Sequence, residues 1–225
     1  GQNPNSSSSI ARTLVAALNH WLPPIFTDTP EEIIPAQTIA EFPINTFLEN
    51  IAIDRNGEIF VTSFEEGKVY RVAVTGEFRE FAKIGGDATG IEFDQQGNLL
   101  VAGVTNDKTP AVFQIDRNGN AEPLVTLPDA IFLNGMTYLT SNRYLIADSF
   151  KGVIWAVNII EKTAHLWLQH ERLSRSAAEF PPFPAANGLK IYGNTVYVSN
   201  TQRQQLIRIP LHQDLTAGIP ELFLT

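Results

Sequence analysis

Short apolar runs alternate with polar turns along most of this chain, and two long stretches of this alternation align without a gap. Leu48 to Ala73 reads LENIAIDRNGEIFVTSFEEGKVYRVA, and Leu133 to Asn158 reads LNGMTYLTSNRYLIADSFKGVIWAVN. Each stretch has two apolar runs around a polar turn, then a small polar pair, a glycine and a third run with an aromatic residue. The alternation predicts three strands in each stretch. Because the design recurs, it indicates a repeated structural unit.

Four copies of this unit occur, with their first strands beginning at Glu49, Thr89, Asn134 and Asn187. The copies are spaced roughly 40 to 53 residues apart, which is typical of the blades of a β-propeller. The turns at 54–57 and 94–97 supply the aspartate and glycine that a tight hairpin requires. The second strands read IFV, LLV, YLI and VYV, and apolar residues on both faces suit strands that lie between neighbouring sheets.

A fourth strand completes each unit and defines four blades, at about 46–82, 86–126, 132–168 and 183–225. A further strand of this fourth type is predicted at 36–42, where it would close a ring by joining the last blade. This closing strand would join the first three strands of a last blade, and the chain contains no such three strands. We therefore expect an all-β, six-bladed-type β-propeller of which about four blades plus the closing strand are present. The alternatives are a four-bladed ring and closure by a second chain. Residues 1–35 are predicted to be a polar arm with a short helix.

The composition excludes several functional classes. The net charge of −8, without a basic run, argues against nucleic acid as a partner. The absence of cysteine removes disulfides, thiolate metal sites and a cysteine nucleophile. No apolar run is long enough to span a membrane. A soluble protein is expected. The sequence is compatible with a cytoplasmic protein and with one that is exported after processing, and it does not indicate the oligomeric state.

Propeller geometry predicts that equivalent positions of the four copies surround one mouth of the central channel. The first-position residues Glu49, Thr89, Asn134 and Asn187 would form a ring there, with Ser63, Gly103, Asp148 and Asn200 at the ends of the second strands close by. One glutamate and two asparagines would offer oxygen ligands to a hard cation. Alternatively, the two Asn-Gly pairs are ordinary turn signals, and Asp148 only caps a loop.

The long connection from Gln169 to Asn187 enters the fourth blade at the same mouth. Loops of this length often cover binding sites, and Phe180 and Phe183, which stand between prolines, are candidates for the wall of a pocket. His170 is a candidate substrate contact. Alternatively, the segment is a surface loop that only covers the gap between blades. The expected partner of such a pocket is a small-molecule substrate.

The stretches LENIAIDRNGEIFVTS, FLNGMTYLTSNRYLIADSFKGVIWAVN and AANGLKIYGNTVYVSNT resemble the senescence-marker-protein/gluconolactonase family, the regucalcin-like six-bladed propellers. The resemblance covers about residues 36–225. It implies a divalent cation, with calcium expected, held by Glu49, Asn187 and an aspartate that this chain lacks. It also implies that Asn134 contacts the substrate and that the protein is a metal-dependent hydrolase of the lactonase type.

The chain departs from the family pattern at two places. Glu49 is followed by Asn50 and Ile51 instead of glycine and proline, and the apolar run 131–133 replaces an arginine near the substrate. The second change favours a small, apolar lactone or ester over a sugar lactone. In this hypothesis Asp148 or the missing aspartate is the general base, and Ser63 and Asn200 lie on the substrate side. The alternatives are a non-hydrolytic binding or cyclase propeller and an interaction scaffold of NHL type.

Overall fold

The computed structural model describes residues 36–176 and 183–225. Within these ranges sixteen strands form four antiparallel sheets of four strands each, and a single short 3-10 turn, Glu171–Leu173, is the helical element. In every sheet the strands lie side by side in chain order. Each sheet contains one of the four sequence repeats, which confirms the all-β propeller fold and places four blades in this part of the chain.

The strand bounds follow the alternation of apolar runs and turns. Blade 1 contains β1 (Leu48–Ile53), β2 (Ile59–Ser63), β3 (Lys68–Val72) and β4 (Phe78–Lys83). Blade 2 contains β5 (Ile91–Phe93), β6 (Leu99–Val104), β7 (Pro110–Ile115) and β8 (Ala121–Thr126). Blade 3 contains β9 (Leu133–Thr140), β10 (Arg143–Asp148), β11 (Val153–Asn158) and β12 (Thr163–Gln169). Blade 4 contains β13 (Ala186–Tyr192), β14 (Thr195–Asn200), β15 (Gln205–Pro210) and β16 (Glu221–Leu224).

The core consists of three apolar layers between consecutive blades. Phe60, Val69, Ile91 and Val101 are among the residues that join blades 1 and 2, whereas Leu100, Val112, Tyr144 and Trp155 are among those that join blades 2 and 3. A third layer, which includes Leu145 and Ile207, joins blades 3 and 4. Adjacent residues of one second strand therefore face opposite neighbours, as the apolar run LLV predicts, because successive strand side chains point to opposite faces.

The outer faces of the first and last blades differ from these layers. Ile51 and Ile53 on β1 are 53% and 59% exposed, and Phe223 and Leu224 on β16 are 43% and 58% exposed. Among the described residues no apolar layer joins blade 4 to blade 1. The four blades thus pack as a consecutive series 1-2-3-4.

Residues 36–42 differ from the closing strand predicted for them, since they belong to none of the four sheets. The Phe42 ring stacks on Phe78 at a centroid separation of 4.0 Å and meets the edge of Tyr70 at 5.3 Å. A Cβ atom on Gly76 would lie 2.4 Å from the Ile39 carbonyl oxygen, so the segment runs close over the β3–β4 turn. A closing strand needs a three-stranded blade to complete, and each described blade has its own fourth strand.

Candidate functional site

A cavity of about 200 Å³ lies at the end of the propeller where the first strands begin. Its walls come from blades 1, 3 and 4 and are mostly apolar. The lining residues are Phe47, Glu49, Phe64, Phe132, Asn134, Phe150, Phe183, Pro184, Asn187 and Thr201. Three of the four residues predicted to ring the mouth, and the predicted wall residue Phe183, are therefore brought together here.

Four phenylalanines form a continuous aromatic wall in this cavity. The rings of Phe47, Phe64, Phe132 and Phe150 meet edge to face in that order, with centroid separations of 5.8, 5.7 and 5.3 Å. They pack with one another apart from the layers between blades. Edge-to-face contact is a favoured arrangement of aromatic rings, so the wall is a stable structure without a ligand.

The repeat explains how two of these rings reach the mouth. Phe47 and Phe132 each stand two residues before a first-position residue. The tripeptide Phe-Leu-Glu ends at Glu49, and the tripeptide Phe-Leu-Asn ends at Asn134. The same offset from equivalent strands places both rings at the same end. Inspection of these positions would have revealed Phe47 and Phe132, two of the four rings of a wall that the sequence prediction of the site did not include.

Glu49 contributes a carboxylate that has no partner among the described residues. Its side chain is half-buried in the cavity wall, and nothing in residues 36–176 and 183–225 donates a hydrogen bond or forms an ion pair with it. Burial raises the pKa of Glu49 above its ordinary value of 4.5. Because an unpaired, partly desolvated carboxylate destabilises the protein, its charge is better satisfied by something that binds in the cavity.

Asn134 carries the clearest sign of an incomplete site. The residue is 2% exposed, and its Oδ1 atom is the one buried side-chain polar atom without a hydrogen-bond partner in the described part of the chain. Leaving a buried acceptor unsatisfied costs about 1–3 kcal/mol, and such atoms are rare in folded proteins. Asn134 also lines the cavity, so a rotation of its amide group would bring Oδ1 to a donor bound there.

Asn187, the third first-position residue that lines the cavity, has a hydrogen bond within its own blade. Its Nδ2 atom donates to the Thr201 hydroxyl oxygen at 3.0 Å. Thr89, by contrast, is completely buried and donates its hydroxyl to the Leu133 carbonyl oxygen at 2.9 Å. Thr89 therefore links blades 2 and 3 and does not line the cavity.

Asp148 lies behind the aromatic wall instead of in the cavity. It is completely buried, and its carboxylate accepts hydrogen bonds from four donors: the backbone N–H groups of Ile131 (2.8 Å), Phe132 (3.0 Å) and Lys151 (3.0 Å) and the Trp155 Nε1–H group (3.2 Å). These bonds fix the turn that carries Phe132. The structure thus gives Asp148 a positioning role, and its assignment as a general base stays a prediction.

The remaining predicted site residues are engaged elsewhere. Ser63 donates to Glu66 Oε2 at 2.6 Å, Asn200 Nδ2 donates to the carbonyl oxygens of Arg172 and Ser174 at 2.9 and 3.1 Å, and His170 Nδ1 accepts from the Arg172 N–H at 3.2 Å. None of the three lines the cavity. Phe180 lies outside the described residues.

The cavity offers oxygen atoms to a cation but few of them. Glu49, Asn134 and Asn187 could supply one carboxylate and two amide oxygens, the donor type that calcium prefers. Within the described ranges no three or more His, Cys, Asp or Glu side chains come close enough to hold a metal ion. The same ranges contain no helix that is long and apolar enough to cross a membrane.

Comparison with known proteins supports the fold and goes no further. No protein-family model and no curated protein matches the chain. Solved structures similar to it include a nidogen/laminin complex (17% identity, TM-score 0.58), an auxiliary nutrient binding protein from Bacteroides ovatus (10%, 0.63) and virginiamycin B lyase from Staphylococcus aureus (11%, 0.55). The matches cover 77%, 80% and 81% of this chain and 62%, 42% and 71% of those chains. The chain thus spans less than two thirds of the first two structures, and the similarity shows the β-propeller fold.

Proposed function

We propose that the protein binds a small molecule with an apolar body and a hydrogen-bond-donating head in the cavity at the channel mouth. The observation that carries this proposal is the buried, unpartnered Oδ1 atom of Asn134 in the aromatic wall. A folded protein keeps such an atom at a cost in stability, and a ligand that donates to it removes that cost.

The size of the cavity limits the ligand. A dry apolar cavity of about 150 Å³ is large enough for benzene. The present cavity of about 200 Å³ therefore fits one ring with a short polar substituent. Phe64 and Phe132 are 3% and 9% exposed and supply a desolvated surface for that ring. Among the described residues no nucleophile paired with a base lines the cavity, so the function supported best is binding and positioning of a small molecule.

Calorimetric titration with a panel of three compounds tests the proposal. Benzylamine, benzyl alcohol and benzoate share one ring and differ in the head group. We expect benzylamine or benzyl alcohol, whose head groups donate, to bind saturably to the protein and to lose affinity in Phe132→Trp, which fills the cavity, whereas benzoate, which has no donor at neutral pH, should not bind. Glu77→Gln, an exposed change on blade 1 away from the cavity, is the control that should bind like the wild type. Saturable binding to none of the three compounds, or equal binding by Phe132→Trp, contradicts the proposal.

A second candidate function is a metal-dependent hydrolysis of a small, apolar lactone or ester. The observation in its favour is that Glu49, Asn134 and Asn187 present oxygen atoms to one cavity. A calcium ion bound there would polarise the carbonyl of the substrate and activate water. The expected result is calcium binding by calorimetry and hydrolysis of δ-valerolactone that EDTA abolishes. Absence of calcium binding, together with hydrolysis insensitive to EDTA, rules this candidate out.

A further inference from the structure

We propose that the head group of the ligand is an organic ammonium, a protonated primary or secondary amine carried on an apolar body. This inference rests on the proposed function, because it assigns the chemical class of the molecule that occupies the same cavity. It follows from the charge, the aromatic wall and the hydrogen-bonding atoms of the cavity, which point to the same class.

The described lining of the cavity carries a negative charge and no positive one. Glu49 is the one ionisable side chain among the lining residues within 36–176 and 183–225, and these include no lysine, arginine or histidine. A carboxylate that is partly withdrawn from water is stabilised by a cation paired with it. Since the described chain does not supply that cation, the ligand is the source of it.

The aromatic wall suits an organic cation. The faces of aromatic rings attract ammonium groups, and aromatic cages recognise methylated ammonium ligands in this way. The wall already has one such contact within the chain, because the Arg175 guanidinium lies over the Phe150 ring at 5.0 Å from its centroid. Arg175 itself is outside the cavity lining, so Phe47, Phe64 and Phe132 are available to the ligand.

The hydrogen-bonding atoms specify an N–H bond on that cation. Asn134 Oδ1 needs a donor, and the Glu49 carboxylate accepts from a donor as well. A primary or secondary ammonium donates to both, whereas a quaternary ammonium has no N–H bond and leaves Asn134 unsatisfied.

The same walls are unfavourable for a calcium ion. Calcium takes about six to eight oxygen ligands, including waters that need space and polar surroundings. The cavity offers three side chains with free oxygen atoms, and most of the remaining wall is phenylalanine. An ammonium group needs fewer polar partners because its apolar body contacts the rings directly.

A calorimetric comparison of benzylamine with benzyl alcohol at neutral pH tests this inference. The two compounds have the same ring and a donor at the same position, but only the amine is charged. We expect benzylamine to bind at least about tenfold more tightly, as a hydrogen bond between two charged groups is stronger than one with a neutral partner. In Glu49→Gln, which keeps the shape of the side chain, we expect this preference to fall to about threefold or less, while the Glu77→Gln control keeps it.

The outcomes separate the inference from the proposed function. If benzyl alcohol binds as tightly as benzylamine, the cavity is a binding site but the ammonium assignment is wrong. An unchanged preference in Glu49→Gln also overturns the assignment. Calcium that binds and displaces benzylamine assigns the cavity to a metal and contradicts it. If neither compound binds, the proposed function itself loses its support.

Discussion

The two ends of the propeller treat their polar side chains in opposite ways. At the hairpin end, Asp54 Oδ1 accepts from the N–H groups of Asn56 and Glu58, both at 2.8 Å, and Asp116 repeats this pattern. At the channel mouth, Glu49 and Asn134 Oδ1 have no partner in the described chain. The hairpin end therefore stabilises the fold, whereas the mouth retains unsatisfied groups that a ligand would complete.

The pKa shifts show the same contrast. Hydrogen bonds lower the pKa of Asp116 at the hairpin end, and the bond from the Asn120 side chain has the largest effect. Burial raises the pKa of Glu49 at the mouth. The first carboxylate is favoured in its charged form by the folded protein, and the second is disfavoured. Two larger hollows also lie among the hairpins, and some polar groups in their walls are paired within the chain, such as Arg71 with Glu58 and Arg117 with the Gln96 carbonyl oxygen.

The largest effect is expected from Asp148→Ala. Asp148 lies near the mouth, but neighbouring donors satisfy its carboxylate, as they do for the aspartates at the hairpin end. The change leaves four buried or partly buried donors without their acceptor. We expect the free energy of unfolding to fall by about 3 kcal/mol or more, measured by urea denaturation. Asp148→Asn, which keeps the volume but loses the charge, should give an intermediate loss. A loss below about 0.5 kcal/mol for Asp148→Ala would show that this network does not hold the wall.

A smaller loss of stability is expected from Asp94→Ala at the hairpin end. Asp94 is buried and accepts from the Gln96 and Asn98 N–H groups, the Asn98 side chain and Gln114 Nε2, at 2.8 to 3.0 Å. We expect the free energy of unfolding to fall by about 2 kcal/mol. The affinity for benzylamine should stay at the wild-type value in the same preparation. A loss of affinity would break the proposed division between the two ends.

The reverse behaviour is expected from Asn134→Leu at the mouth. Leucine has the same side-chain branching and number of heavy atoms as asparagine, and it removes the unsatisfied acceptor. The free energy of unfolding should be unchanged or higher by up to about 1 kcal/mol, because a buried orphan acceptor has been replaced by an apolar group. Binding of benzylamine should be lost in calorimetry. A clear destabilisation would mean that Asn134 has a structural partner in the folded protein.

The smallest effect is expected in the pH dependence of stability and comes from Glu49. Because its pKa is raised on folding, the folded state binds the proton more tightly than the unfolded state. The contribution of Glu49 to the free energy of unfolding is thus fully favourable below the pKa it has in the unfolded state. This contribution is lost as the pH rises through the pKa it has in the folded state. Glu49→Gln should remove this decline, measured as unfolding free energy from just below pH 4.5 upward. Burial also raises the pKa of Glu92, so Glu92→Gln is the matched control for the remaining slope.

The fold was predictable from the sequence because it depends on periodicity. Strand alternation, the Asp-Gly turns and the spacing of the repeats all follow from local chemistry, and the sandwiching of the second strands follows from their apolar faces. The segment 36–42 differs from its prediction because strand formation there depends on which sheet edge is available, and local pattern does not contain that information.

The site was predictable in part. Glu49, Asn134 and Asn187 reach one cavity because equivalent positions of a repeat reach one end of the fold. Asp148, Ser63 and Asn200 occupy positions of the right kind, but their side chains are used by neighbouring donors and acceptors. Whether a polar group near a site is satisfied depends on tertiary contacts. The sequence alone therefore does not separate a positioning residue from a ligand-binding one.

The most direct test of a ligand site at the mouth is a crystal structure of the protein soaked with benzylamine. We predict electron density for the ring in the cavity, packed against Phe64 and Phe132, with the nitrogen atom within about 3.2 Å of Asn134 Oδ1 and turned toward Glu49. Density for benzylamine only elsewhere on the protein, or an Asn134 side chain that bonds to the protein itself and leaves the cavity empty, would contradict the account.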